Sequence, residues 1–279
     1  MKFMKKLFLL LLPLLVCCGC CKENVVLTVG SYNVRVPRDK APNDWKNRCP
    51  RVKSILKEHK FDIFGTQEAV AEQIKDIKAA GYDMAGVGRE ADLGGEYSCV
   101  FYNPQRLKCL EQHTFWLSET PDKPGSKSWG TACPRICTYG IFQDKATGRK
   151  FVFANTHLDH RSNLAREKGA VLIAHKLLPL YNKYPLILTG DFNSLPASPQ
   201  IIMLSRIFAN AEKAAAKVLP GPEFTYHGYN PANPRLRKQP IDFIFVNKRV
   251  KVSTFQVLND TVGGFHASDH YPLKAVVSL

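Results

Sequence analysis

Beyond residue 21 the chain has no CxxC pair and no Cys/His cluster at zinc-ligand spacing, which excludes the small metal-stapled modules. It has no internal repeat, no Pro/Gly/Ser-rich linker and no composition break between Asn24 and Leu279, so a single domain over 22–279 is expected. No apolar run is long enough for a comfortable transmembrane helix. Acid is scarce: 24 Asp and Glu stand against 39 Lys and Arg. The formal charge is +15, of which Lys2, Lys5 and Lys6 supply three, leaving about +12 without them. A surplus of this size favours polyanionic partners such as nucleic acid, phosphorylated lipid headgroups or acidic glycans, as a long-range bias that selects no particular ligand.

What is present belongs to an ordinary globular protein, with 45% apolar and 23% charged residues in 279. Met1–Cys21 is set apart. Three lysines precede the apolar run Leu7–Val16, and the cluster CCGCC follows, which is the charged, apolar and cleavage-region order of a secretory signal. Export to the cell envelope, periplasm or medium is therefore expected. Gly19-Cys20 resembles the junction of bacterial lipoprotein signals, which implies membrane attachment through a lipidated Cys20; ordinary cleavage to a soluble protein is the alternative. Five cysteines remain, Cys49, Cys99, Cys109, Cys133 and Cys137. An odd number at wide spacing predicts a core-stabilised domain with at most one or two bridges.

Several apolar runs stop abruptly at polar residues. In Leu186–Ser194, LILTGDFNS, three buried-type residues lead through Gly190 to Asp191 and Asn193. A plain turn explains that acid and amide equally well. Asn24–Val36 alternates like a strand, with Asn33 at a position that calls for burial. Phe61–Glu68, FDIFGTQE, ends in a carboxylate that either caps the following helix, Ala69–Ala80, or serves as a hard oxygen ligand suited to Mg²⁺. Lys150–Asn155 delivers His157, and Pro240–Val246 carries Asp242 among apolar neighbours, where an acid requires a partner. His266–His270 precedes the last strand, Leu273–Val277.

The intervening elements are read as helices over Trp45–His59, Asn163–Pro179 and Gln200–Ala216, and strands over Glu96–Asn103, Lys108–Leu117, Ile136–Phe142 and Val250–Leu258. On Asn163–Pro179 the apolar side is read as Leu164, Ala170, Val171, Ala174, Leu177 and Leu178. The long loop Ser118–Arg135 is expected to be functional, with Trp129 as a substrate-facing lid and Arg135 as an anion clamp. Tyr226, His227 and Tyr229 among Arg235, Arg237 and Lys238 suit a ring- or phosphate-bearing ligand, or a solvated loop.

Taken in order, SYN, TQE, NTHL, GDFN, IDFIF and SDHYPL closely resemble the motifs of the endonuclease/exonuclease/phosphatase superfamily, which includes DNase I-like nucleases, inositol-phosphate 5-phosphatases and neutral sphingomyelinases. The resemblance covers essentially the whole chain after the leader. It implies an α/β fold, a four-layer αββα sandwich of two packed mixed β-sheets flanked by helices, and Mg²⁺- or Mn²⁺-dependent cleavage of a phosphoester. Glu68 corresponds to the principal metal ligand, with Asn33 beside it and Asp269 as a further metal ligand or a group that supports one. His270 and Asp242 would form a His–carboxylate pair, Asp191 and Asn193 would handle the attacking water and a phosphate oxygen, and His157 matches the other active-site histidine. Arg135 would add a phosphate contact.

The stretches FWLSETPDKPGSKSW, ACPR and THLDHRSNLAREKGA resemble a bacterial secreted or lipoprotein branch of this superfamily. Among phosphoester substrates the net charge slightly favours nucleic acid, with a phospholipid headgroup or sugar phosphate as the alternative. No protein partner is expected. A non-catalytic binding module on the same fold is a remote alternative, since every expected polar position is filled.

Overall fold

A computed structural model describes residues 24–236 and 238–279; residues 1–23, which include the segment expected to be a signal and its lipidation candidate Cys20, and Arg237 lie outside the described residues. In chain order the elements are β1 (Val26–Asn33), α1 (Trp45–His59), β2 (Ile63–Gln67), α2 (Ala71–Ala79), β3 (Asp83–Ala85), β4 (Val100–Tyr102), β5 (Leu107–Trp116), β6 (Ile136–Asp144) and β7 (Lys150–His157). They continue with α3 (Asn163–Tyr181), β8 (Leu186–Asp191), α4 (Pro199–Ile207), β9 (Ala209–Asn210), α5 (Ala211–Ala214), β10 (Lys217–Val218), β11 (Asp242–Val246), β12 (Lys251–Val257) and β13 (Leu273–Ser278).

Two mixed sheets result, ordered β10-β12-β13-β1-β2-β4-β3 and β5-β6-β7-β8-β11-β9. Their central strands are buried on both faces and accordingly read as apolar runs rather than alternations. Three apolar layers hold the four structural layers together. Leu27, Val29, Ile63, Phe153, Ile187 and Ile244 pack between the sheets. Val52, Leu56 and Ile77 seat α1 and α2 on Tyr32, Phe64 and Phe101. Ala170, Ile173, Leu177 and Leu204 seat α3 and α4 on the second sheet. This is the αββα sandwich expected of the DNase I-like fold.

One polar bridge crosses between the sheets. Asn155 of β7 donates to the carbonyls of Thr66 (2.8 Å) and Cys99 (3.0 Å), and accepts from Gln67 Nε2 (2.7 Å) and Thr189 Oγ1 (3.0 Å). Gly65 makes room for it, since a Cβ there would lie 2.3 Å from Asn155 Cγ. A buried amide with all its partners made is costly to remove, because four buried polar groups each lose a hydrogen bond together. Asn155→Ala is expected to lower unfolding free energy by about 3 kcal/mol in a urea titration; a loss under about 1 kcal/mol would mean the apolar layer alone fixes the sheets.

The sequence expectations need two corrections. The helix expected over Gln200–Ala216 stops at Ile207: Phe208 turns extended and is buried against Tyr181, β9 then extends the second sheet beside β11, and Asn210 caps the short α5 by accepting from the Glu212 N–H at 2.9 Å. Burial and sheet pairing here outweigh the helix propensity of the alanine-rich stretch. On α3, Leu164, Val171 and Leu178 are exposed, while Ala170, Ala174 and Leu177 face the core. The five cysteines among the described residues carry no disulfide, within the expectation of at most one or two bridges.

The register brings the polar strand ends to one edge. Asn33 lies beside Gln67 in the parallel pair β1–β2, His157 beside Asp191 in the parallel pair β7–β8, and Asp242, the first residue of antiparallel β11, faces Asp191. Glu68 follows β2 directly, and Asp269 and His270 precede β13.

Candidate active site

At this edge a cleft of about 680 Å³ is lined by Glu68, His157, Asp191, Asn193, Asp269 and His270, with Arg35 and Arg135 on its walls. Asn33 and Asp242 lie behind them and are almost wholly buried. Glu68, Asn193 and Arg35 all adopt left-handed backbone conformations, with φ of 63°, 46° and 57°. Non-glycine residues pay for that geometry in strain, and such outliers gather where a side chain must be aimed.

Asn33 joins the two sheets at the site: its amide nitrogen donates to Glu68 Oε1 and to Asp191 Oδ2, both at 3.1 Å, while its oxygen accepts the Arg35 N–H at 3.0 Å. The Ser268 hydroxyl fixes the backbone by donating to the Asn33 carbonyl at 2.6 Å. Glu68 Oε2 accepts the Val36 N–H at 3.0 Å. Burial works against the charge of Glu68, but that N–H, the Asn33 amide, His270 and Arg35 outweigh it and hold the carboxyl below its ordinary value. Arg35 reaches between two acids, with Nη1 3.9 Å from Glu68 Oε2 and 3.7 Å from Asp269 Oδ2. Burial raises the Asp269 carboxyl.

Asp191 is the hub. Its Oδ1 accepts the Asn193 N–H at 2.8 Å, and its Oδ2 lies 3.4 Å from His157 Nε2 and 3.8 Å from His270 Nε2. Burial, and the Asp242 carboxylate next to it, push Asp191 up to about 7. His270 Nδ1 is 2.9 Å from Asp242 Oδ2. Burial disfavours the imidazolium, yet Asp242 and then Asp191 and Asp269 raise His270 to about 10. His157 goes the other way: burial and the Arg135 charge keep it neutral, well below its ordinary value. Two histidines in one cleft are thereby held in opposite protonation states.

Asn193 is committed differently from the expectation. Its amide nitrogen donates to the Leu158 carbonyl and to His157 Nε2, both at 3.0 Å. With both N–H groups spent, it has none left for a phosphate oxygen; it orients His157 as a hydrogen-bond acceptor. Arg135 is 5% exposed and on the cleft wall, its Nη2 2.8 Å from His160 Nδ1 and its Nε 3.6 Å from Asp159 Oδ1 with no hydrogen-bond acceptor. Burial opposes the charge of Asp159, but the N–H groups of Ser162 and Arg161 lower it to about 2, which makes it a fixed counter-charge for Arg135. Trp129 is half-buried and not part of the cleft wall; its carbonyl accepts from Ser162 Oγ at 2.7 Å and secures the start of α3.

Other lining residues escaped the sequence reading. Arg35 sits two places after Asn33 in SYNVR, a spacing that could have flagged it. Arg89 and Glu96 form a two-pronged ion pair at 2.6 and 3.1 Å on the cleft wall, with no local sequence signal. Tyr226, from the loop read as either ligand-facing or solvated, sets its ring edge against His270, centroids 5.0 Å apart.

The donor set suits a hard divalent cation. Glu68, partly buried, and Asp269, buried, are oxygen donors served jointly by the Arg35 guanidinium, and the Asn33 oxygen, which accepts the Arg35 N–H, has a second lone pair to offer. Asp191, Asp242 and His270 also offer ligand atoms within 4.8 Å of one another. The short His270–Asp242 contact is better read as a charged hydrogen bond than as shared ligation, because His270 holds its proton so firmly.

Residues 30–270 match the Endonuclease/Exonuclease/phosphatase family. An endonuclease/exonuclease/phosphatase family protein from Bacteroides thetaiotaomicron is 35% identical, with a TM-score of 0.86 over 92% of this chain and 96% of that one. A mannosyl-6-phosphatase from the same organism is 36% identical, with a TM-score of 0.83 over 90% of this chain and 99% of that one. An uncharacterised curated protein of Acanthamoeba polyphaga mimivirus is 27% identical over 167 residues, 54% of this chain and 59% of that protein's length.

Proposed function

We propose that this chain, which belongs to the Endonuclease/Exonuclease/phosphatase family, is a divalent-metal-dependent phosphoesterase acting on a small phosphoester, with a sugar phosphate as its substrate class. The observation that carries the phosphoesterase reading is the convergence of Glu68, His157, Asp191, Asp269 and His270 on one cleft. The sugar-phosphate reading draws on the 36% identity to a mannosyl-6-phosphatase. It also draws on the pairing of cleft cations with carboxylates, Arg35 with Asp39 and Arg89 with Glu96, which leaves Arg161 as a lining cation without an ion pair among the described residues and so a smaller unpaired charge for a polyanionic strand.

In this mechanism Asp191 orients the attacking water and takes its proton, near neutrality by virtue of its raised affinity for protons. His270, charged and braced by Asp242, donates from Nε2 to an oxygen that gains negative charge as the phosphoester breaks. Glu68, Asn33 and Asp269 would hold Mg²⁺ or Mn²⁺, which would polarise a phosphoryl oxygen and offset its developing charge. Neutral His157, its Nε2 held by the Asn193 amide, adds no charge beside Asp191, and Arg135 contacts the anionic oxygens.

The nuclease reading rested on net charge, and that ground weakens because a cluster of six unpaired lysines lies away from the cleft, as described below. Incubation with hexose 6-phosphates, a lipid-headgroup diester, DNA and RNA, each with Mg²⁺, Mn²⁺ or EDTA, tests the assignment. Phosphate release from a sugar phosphate, abolished by EDTA, is the expected result. Cleavage of DNA or RNA with no release from any small phosphoester would overturn the substrate class, and turnover persisting in EDTA would overturn the metal requirement.

A further inference from the structure

Six lysines without an ion pair gather at the end of the sandwich opposite the cleft. The first residue of β1, Val26, the start of β2 and the end of β6 meet there under Arg106, whose side chain binds the Val26 carbonyl, Asp62 at 2.9 Å and Asp144 at 3.3 Å. Around them Lys108, Lys145, Lys150, Lys183, Lys248 and Lys251 stand exposed at the starts of β5, β7 and β12 and in the turns before β7, β8 and β12. Arg106 already occupies Asp62 and Asp144, and among the described residues no ion pair reaches any of the six lysines. At the cleft end Arg35, Arg89 and Arg135 each stand beside an acid, and Arg161 is the lining arginine without an ion pair among the described residues.

We infer that this basic pole is a docking face for an anionic lipid surface, which leaves the catalytic cleft turned outward to soluble substrate. Two features select a lipid surface over other polyanions. The chain enters the fold at this pole, since β1 begins at Val26, and the preceding sequence holds the apolar run Leu7–Val16 and Cys20. The turns KATGRK and NKRVK, which carry four of the six lysines, contain no aromatic residue, whereas single-stranded nucleic acid is held by stacking platforms among its cations. Lysines spread over several turns, each flexible and strongly hydrated, suit a diffuse negative plane, and a polybasic face supplies the second attachment that one apolar anchor lacks. The cleft sits at the far end of β1, roughly 23 Å away at the usual rise per residue, and so faces away from the bilayer.

The test uses the full chain and its variant with Lys145→Ser, Lys150→Ser, Lys248→Ser and Lys251→Ser, mixed with phosphatidylcholine vesicles with or without phosphatidylglycerol. The wild type should sediment preferentially with the anionic vesicles. The variant should lose that preference by about fivefold per lysine removed, with unchanged binding to neutral vesicles and an unchanged melting temperature. Turnover of a soluble phosphoester by the vesicle-bound protein should equal that of the free protein. Equal binding to both vesicle types, or a preference that survives in the variant, overturns the proposal. So does an RNA or DNA oligonucleotide that displaces the anionic vesicles and itself depends on these lysines. The vesicle preference is read without any turnover, so its outcome stands apart from that of the catalytic assignment.

Discussion

Asp191→Asn is expected to lower kcat by about 10³-fold while leaving the melting temperature within a few degrees of wild type. The two halves of this expectation have separate causes. The rate falls because an amide cannot take the proton of the attacking water, although it keeps the size and position of the carboxylate at the end of β8. Stability is spared because burial and the neighbouring Asp242 raise Asp191 to about 7. A carboxyl whose proton affinity is raised by folding binds protons more readily in the native than in the unfolded chain. Its contribution therefore becomes less favourable as pH climbs from the ordinary value of 3.8 to about 7, and the full penalty applies above that. The amide removes this penalty and gives up one of the hydrogen bonds from Asn33 or the Asn193 backbone. Steady-state kinetics and a thermal melt of one preparation decide the matter. A variant that retains more than about a tenth of wild-type turnover excludes Asp191 as the base, and one that no longer folds assigns it a structural task.

The strand ends were legible in the sequence because a buried strand announces itself as an apolar run, and a polar residue at its terminus must face either solvent or a site. GDFN, TQE, NTHL and IDFIF all carry that signature, and their convergence follows from register: His157 and Asp242 both flank Asp191 in the second sheet. What escaped notice depends on geometry that no local pattern encodes. Asn193 looked like a phosphate donor until the left-handed turn at that residue sent its amide toward Leu158 and His157. Trp129 looked like a lid because a long loop with a buried-type ring usually covers something, yet its backbone secures α3. Arg35 and the Arg89–Glu96 pair reach the cleft from irregular segments, where sequence period is silent. Net charge is the sharpest case: composition fixes the sum, and only the fold reveals that six lysines without an ion pair gather at the end remote from the cleft.

His270→Gln should cost about 10²- to 10³-fold in kcat, and Asp242→Asn should shift the pH profile in a way a purely structural defect would not. His270 is a buried imidazole, and burial alone would leave it neutral; the Asp242 carboxylate at 2.9 Å, reinforced by Asp191, raises it to about 10. A base raised by folding contributes stability that is complete below its ordinary value of 6.5 and is lost as pH rises through about 10. At neutral pH the side chain is therefore a cation with one N–H spent on Asp242 and the other, on Nε2, free for the cleft. Asparagine at position 242 can still accept the Nδ1 proton, so the ring keeps its orientation, with Tyr226 against its edge. The carboxylate charge is gone, however, and His270 then loses its proton at lower pH. The alkaline limb of kcat/KM should move toward neutrality in Asp242→Asn, with activity largely recovered on the acid side of that limb and KM little changed. Profiles of identical shape in wild type and variant would show that Asp242 only holds the ring in place. A uniform loss at every pH would instead assign Asp242 to a step that does not pass through the charge of His270.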